Sequence, residues 1–203
     1  MRRTALLVAA LPLTLGVAGT ARGQAQGEDV AFGSTGQIAI SDDLQLAATQ
    51  LTVEGSAVKP TDVELAPAAD LFPAPGLSVG GQLIIGYTFV DQGDGTSRTS
   101  NQLGVFVRAG YAIALSSTAS IWPRIAVGYR HSSGDVTTGL AVTMSRVQLA
   151  VQAPVLFRLA PHFFIGGGPT FSTDLSATQD GASVWKTTII GLQSTLGGYF
   201  QGP

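Results

Sequence analysis

The chain has 203 residues, 26 glycines and no cysteine; 45% is hydrophobic, 12% is charged, the formal net charge is −2 and the mean hydropathy is +0.31. A soluble domain carries about 25% charged residues, so the usual polar coat is half missing, while this much apolar residue excludes intrinsic disorder. Lack of cysteine excludes a disulfide framework and thiolate chemistry, and the absence of a cationic surplus argues against a nucleic-acid partner.

Residues 1–23 have the order of a cleaved export signal: Arg2 and Arg3, an apolar run from Ala5 to Val17, then the small residues Ala18, Gly19, Thr20 and Ala21. A membrane anchor helix is the competing reading, but Pro12 and Gly16 interrupt a run already short of about 20 residues. Taking Arg2, Arg3 and Arg22 from the 11 basic residues leaves 8 against 13 acidic ones, a mature net charge of −5. Residues 24–42 read as an N-terminal extension or an extra short strand, with Ala31–Ser41 partly strand-like and Asp42–Asp43 a turn signal; residues 43–203 read as one barrel.

From there the pattern has period two. Segments at Leu44–Glu54, with a bulge expected near Gln50, and at Val63–Phe72 are followed by Leu77–Val90, where Leu77, Val79, Leu83, Ile85, Tyr87 and Phe89 share one parity. The opposite parity holds Ser78, Gly80, Gln82, Gly86 and Thr88, with Ile84 the exception. In the next segment Leu103, Val105, Val107, Ala109, Tyr111, Ile113 and Leu115 oppose Gln102, Gly104, Arg108, Gly110 and Ala112. Such alternation marks strands with two unlike faces. Further segments span Ser120–His131, Thr143–Leu159, Phe163–Asp174 and Val184–Phe200. That gives an all-β, antiparallel up-and-down barrel of about eight strands, with ten as the variant if Ala31–Ser41 pairs.

The connections alternate in length. Pro73–Gly76, Ser116–Ala119 and Ala160–His162 are short; Gly55–Thr61, Asp91–Asn101, Ser132–Gly139 and Ser176–Ser183 are longer and polar. Tight turns at one end and long loops at the other describe a transmembrane barrel. The polar parity decides between lipid and water. A soluble barrel would place Lys and Glu there; this chain places Gly, Ser, Thr, Gln and isolated Arg, which suits a narrow interior. Tyr87, Phe89, Tyr129 and Phe171 toward the loops, with Phe157, Phe163 and Phe200 toward the turns, read as aromatic girdles. The expected location is therefore the outer membrane, as a monomer in lipid.

Over Leu44–Phe200 the chain resembles small bacterial outer-membrane β-barrel proteins of the OmpA/OmpX architectural type. Its last strand, Ile190-Gly-Leu-Gln-Ser-Thr-Leu-Gly-Gly-Tyr-Phe200, resembles the C-terminal signal of that group. The resemblance implies delivery to the barrel-assembly machinery through Leu196, Tyr199 and Phe200; Gln201, Gly202 and Pro203 depart from the pattern by following the aromatic end. Ser120–Arg124 and Pro161–Thr170 are similar to features of an uncharacterised group of such barrels.

Three readings of function follow. Glu64, Asp70, Arg108, Arg124 and Arg146 fall on the interior parity, where unpaired charge is costly, so they are expected to neutralise one another across the lumen. That makes a side-chain-filled, non-enzymatic barrel with a structural or surface-interaction role and an unidentified partner at its outer loops. The second reading makes the arginines the lining of a narrow small-solute channel. The third starts from His131, Ser133 and Asp135, which share a face on extended backbone. A serine, a base and an orienting acid cleave esters, and this patch resembles the His-x-Ser segment of outer-membrane lipid A deacylases. That resemblance implies His131 as base and Ser133 as nucleophile, but the acidic residue expected on the next strand is missing from Thr143–Leu159. Asp91, Asp94 and the pair Asp42–Asp43 fall short of a calcium ligand set, so neither metal nor cofactor is expected.

Overall fold

The computed structural model describes residues 31–45, 59–91, 97–135 and 141–202. The export signal, the Gln50 bulge, and most of the strand expected at Leu44–Glu54 lie outside the described residues. The strands are β1 (Gln37–Gln45), β2 (Lys59–Leu65), β3 (Pro67–Leu71), β4 (Leu77–Asp91), β5 (Ser97–Tyr111), β6 (Ile113–Ala114), β7 (Ala119–Ile121), β8 (Arg124–Asp135), β9 (Ala141–Gln152), β10 (Val155–Ala160), β11 (Phe163–Gln179), β12 (Ala182–Ser183) and β13 (Thr188–Gln201).

All pairings are antiparallel and they close a ring of eight: β1, β2 with β3, β4, β5, β8, β9, β11, β13, and back to β1. The short strands continue the long ones across local breaks. At the turn end the breaks fall at Ala112, at Trp122–Pro123 and at Ala153–Pro154. Proline has no N–H for the ladder, yet its carbonyl still accepts. Tyr111 N donates to Pro123 O at 3.0 Å, Trp122 N to Pro154 O at 2.9 Å, and Ala153 N to Pro169 O at 3.1 Å. The ring stays bonded where its strands change direction.

Two expectations need correcting. The barrel begins at Gln37, not at residue 43. β1 closes it by pairing Gln37–Gln45 with Gln201–Gln193, so Ala39 and Ser41 belong to the wall and Asp42–Asp43 is strand rather than turn. Asp42 and Asp43 are instead the residues that bridge the β2–β3 break: Ala66 N donates to Asp42 Oδ1 at 2.9 Å and Asp43 N to Ala66 O at 3.3 Å. The loop expected at Ser176–Ser183 is also shorter. β11 runs on to Gln179 past a bulge at Asp174–Ser176, and Asp180 (φ 50°) with Gly181 (φ 83°) makes a two-residue hairpin turn into β12. Consecutive positive φ angles are what the tight hairpin turn of Asn-Gly or Asp-Gly requires.

The faces follow the parity. Val79, Leu83, Ile85, Val105, Val107, Val127, Val151, Ile165 and Leu196 all point outward and stay exposed, as do the seven girdle aromatics named above. The lumen buries Ser78, Gln82, Arg108, Arg124, Gln148, Gln152 and Thr195, together with Ile84, the residue that broke the alternation. Small residues let these side chains fit. A Cβ on Gly128 would collide with the Phe106 ring and the Val105 carbonyl, and one on Gly80 would meet the Asp70 carboxylate.

The turn end is closed by an aromatic cluster of Phe72, Trp122, Phe164 and Tyr199 with Ala39, Ala112 and Leu156. Phe32 enters it from the segment ahead of β1, its ring 5.2–5.4 Å from those of Phe72, Trp122, Phe164 and Tyr199. Gln37 fixes that segment: its Oε1 accepts from Gly33 N at 2.8 Å and Ser34 N at 3.2 Å, and its Nε2 donates to Ala31 O at 2.9 Å.

Candidate functional site

The inward residues of β8 and Trp122, two residues before it, give the order of layers in the lumen. From the turn end they are Trp122, Arg124, Ala126, Gly128 and Arg130. Trp122 belongs to the aromatic plug and Arg124 to a layer of four charges. Ala126 joins an apolar layer with Ala66, Ile84, Phe106 and Ala150. Arg130 belongs to a second polar layer nearer the long connections.

The four-charge layer has Asp43 at its centre. Asp43 Oδ2 accepts from Arg108 Nη1 at 2.7 Å and from Gln82 Nε2 at 3.2 Å; its Oδ1 accepts from Arg124 Nη2 at 3.0 Å and Thr195 Oγ1 at 2.8 Å. Asp70 takes the other edge of Arg108, accepting from Nε at 2.9 Å on both oxygens and also from Nη2. Arg108 Nη2 reaches Ser41 Oγ at 3.1 Å as well. The Arg124 guanidinium lies over the Trp122 ring, 4.5 Å from its centroid, and Trp122 Nε1 donates to Ser78 Oγ at 3.0 Å. Two carboxylates thus balance two guanidiniums. The side chains of Asp43, Asp70, Arg108 and Arg124 are each no more than 1% exposed.

The second layer pairs differently from expectation. Glu64 accepts from Arg130 Nη1 at 3.2 Å and Nη2 at 3.4 Å, and from Gln102 Nε2 at 3.0 Å. Arg146 Nη1 lies 3.6 Å from Asp174, whose oxygens are taken by Gln148 Nε2 at 2.7 Å and Thr187 N at 2.9 Å. Of the five lumen residues named from the sequence, Asp70 and Arg108 meet each other and Arg124 joins them through Asp43. Glu64 and Arg146 belong to separate pairs. Asp43, Arg130 and Asp174 were missed, though parity carried the signal: Asp43 shares a face with Gln37, Ala39 and Ser41, and Arg130 shares one with Arg124.

Of the esterase candidates, His131 and Ser133 do not meet. His131 Nδ1 lies 3.1 Å from Ser145 Oγ, its direct partner on β9, and Tyr129 OH donates to the same oxygen at 2.8 Å. No hydrogen bond joins His131 to Ser133. The reason is spacing: residues i and i+2 on a strand stand about 6.6 Å apart, whereas cross-strand partners bring their Cβ atoms to about 5 Å. Among the described side chains no carboxylate meets the ring of His131, and Asp135 ends β8 opposite Ala141. Of the assembly residues, Leu196 and Phe200 face outward and Tyr199 is buried in the aromatic plug.

No family model matches the chain, and no curated protein sequence matches it. Among solved structures, Neisserial surface protein A (NspA) is similar, with a TM-score of 0.44 and 12% identity over 83% of this chain and 99% of that one. The match is coarse, and nothing about what this chain does follows from it.

Proposed function

We propose that this chain is a non-enzymatic outer-membrane β-barrel protein with a filled lumen, a monomeric anchor that presents its outer loops to a surface partner. One observation carries the reading: among the described residues all eight strands of the ring expose apolar side chains outward while the buried ion pairs point inward. Water outside the barrel would invert that arrangement; lipid requires it. Segment 1–23 would direct export and be cleaved off in the process, and assembly would use the β13 strand, whose Leu196 and Phe200 stand on the lipid side. The start of β1 and the end of β13 pair beside the short turns, on one side as an even strand number demands, and that side would face the periplasm.

The channel reading loses to the packing of the lumen. Phe72, Trp122, Asp43, Asp70, Ser78 and Thr195 are all at most 1% exposed, so solvent does not reach the cross-section they fill. Eight strands leave an interior just wide enough for side chains. Planar bilayers containing the refolded protein are expected to show no stable conductance steps. Reproducible single-channel steps at moderate voltage would overturn the filled-lumen reading.

A further inference from the structure

The two polar layers differ in how far solvent reaches their arginines. In the lower layer both edges of Arg108 end on carboxylates, and Arg124, whose buried Nε and Nη1 have no hydrogen-bond partner, is 1% exposed against the face of Trp122. In the upper layer Arg130 and Arg146 are direct cross-strand partners on β8 and β9. Like charges placed opposite each other on one face destabilise a sheet unless something neutralises them. Arg130 gives its two Nη groups to Glu64, and its buried Nε has no partner. Arg146 is poorer still. Its Nε and Nη2, the fork that grips a carboxylate or phosphate bidentately, point at the thioether of Met144, at 3.0 and 2.8 Å. A thioether is a weak acceptor. Asp174 stays 3.6 Å away, held by Gln148 and Thr187.

We infer that Arg146 and Arg130 form an oxyanion-binding site in the outer half of the lumen, which takes the phosphate or carboxylate of a small soluble ligand in place of Met144. Solvent access fits this. The side chains of Arg130, Glu64 and Arg146 are 18%, 19% and 26% exposed, against 1% or less in the layer below. The apolar layer of Ile84, Phe106 and the three alanines forms the floor. A ligand therefore binds from the long-loop end and does not pass through. Glu64 and Asp174 hold the net charge of the empty site near zero, so binding is modest and selective for groups that fill the fork.

The test is side-chain NMR of the mature chain refolded in zwitterionic detergent, following arginine Nε–H signals during titration with inorganic phosphate. Sodium chloride at matched ionic strength is the control. Signals of Arg130 and Arg146 are expected to move saturably with phosphate and not with chloride, while those of Arg108 and Arg124 stay fixed. Acetate distinguishes the ligand classes: saturation by both anions supports a general oxyanion site, and saturation by phosphate alone supports a phosphate site. Arg146→Lys keeps the charge and loses the fork, and is expected to weaken phosphate binding about 10-fold or more, read at Arg130. Met144→Leu removes the internal acceptor and is expected to leave binding intact or tighter. Equal movement with chloride, unchanged affinity in Arg146→Lys, or loss of binding in Met144→Leu would each overturn the inference.

Discussion

Asp43→Ala is expected to lower the stability of the folded barrel by about 3–5 kcal/mol, measured by urea titration in detergent or lipid with tryptophan fluorescence. The size comes from what is left behind. Asp70 still holds Arg108 through Nε, but Arg124 keeps only Thr195 Oγ1 at 3.4 Å and the face of Trp122. A guanidinium 1% exposed then has no counter-charge of its own. The double variant Asp43→Ala, Arg124→Met is expected to regain most of the loss, because replacing both members of a buried pair by apolar groups is often neutral. Asp42→Ala removes one hydrogen bond, to Ala66 N, and should cost about 1 kcal/mol. Equal costs at Asp42 and Asp43 would mean that Asp43 does not anchor the layer.

Val107→Arg carries the second largest effect, a loss of about 2–4 kcal/mol when the barrel is embedded in lipid. Val107 lies in the middle of β5, between Gly81 and Val127 on the neighbouring strands, and is 64% exposed on the outer face. On a water-facing wall the same change would fall within about 0.5 kcal/mol, so the number reports the solvent directly. Gln148→Arg makes the comparison on the other face. There the new guanidinium has the Asp174 carboxylate beside it, 2.7 Å from the present amide nitrogen, and the loss should be smaller. Unfolding in lipid vesicles of both variants checks the pair; equal tolerance would contradict the assignment of faces.

What the sequence disclosed was a matter of what parity can carry. Alternation along Leu77–Val90 and along the following segment is long and clean, so both faces of β4 and β5 were legible, and the count of eight survived. The identity of the first strand did not. A carboxylate pair reads as a turn in a chain with few charges; the parity that Asp43 shares with Gln37, Ala39 and Ser41 is a short signal, and its partner Arg108 lies on a strand 65 residues away. The choice of Ser145 over Ser133 by His131 was invisible for a related reason: it depends on the β8–β9 register, which the alternation of either strand leaves free to slide by two. Phe32 was equally unreadable. One aromatic ahead of a glycine shows its role only when the barrel mouth it fills has been assembled from Phe72, Trp122, Phe164 and Tyr199.

The most direct test of the central claim, a closed barrel with lipid outside, is the gel mobility of the outer-membrane fraction with and without boiling in detergent. A closed, hydrogen-bonded ring in lipid resists cold detergent and unfolds on heating, so the account predicts a mobility shift on boiling, confined to that fraction. A protein recovered in the soluble periplasmic fraction, running at one position under both conditions, would contradict it.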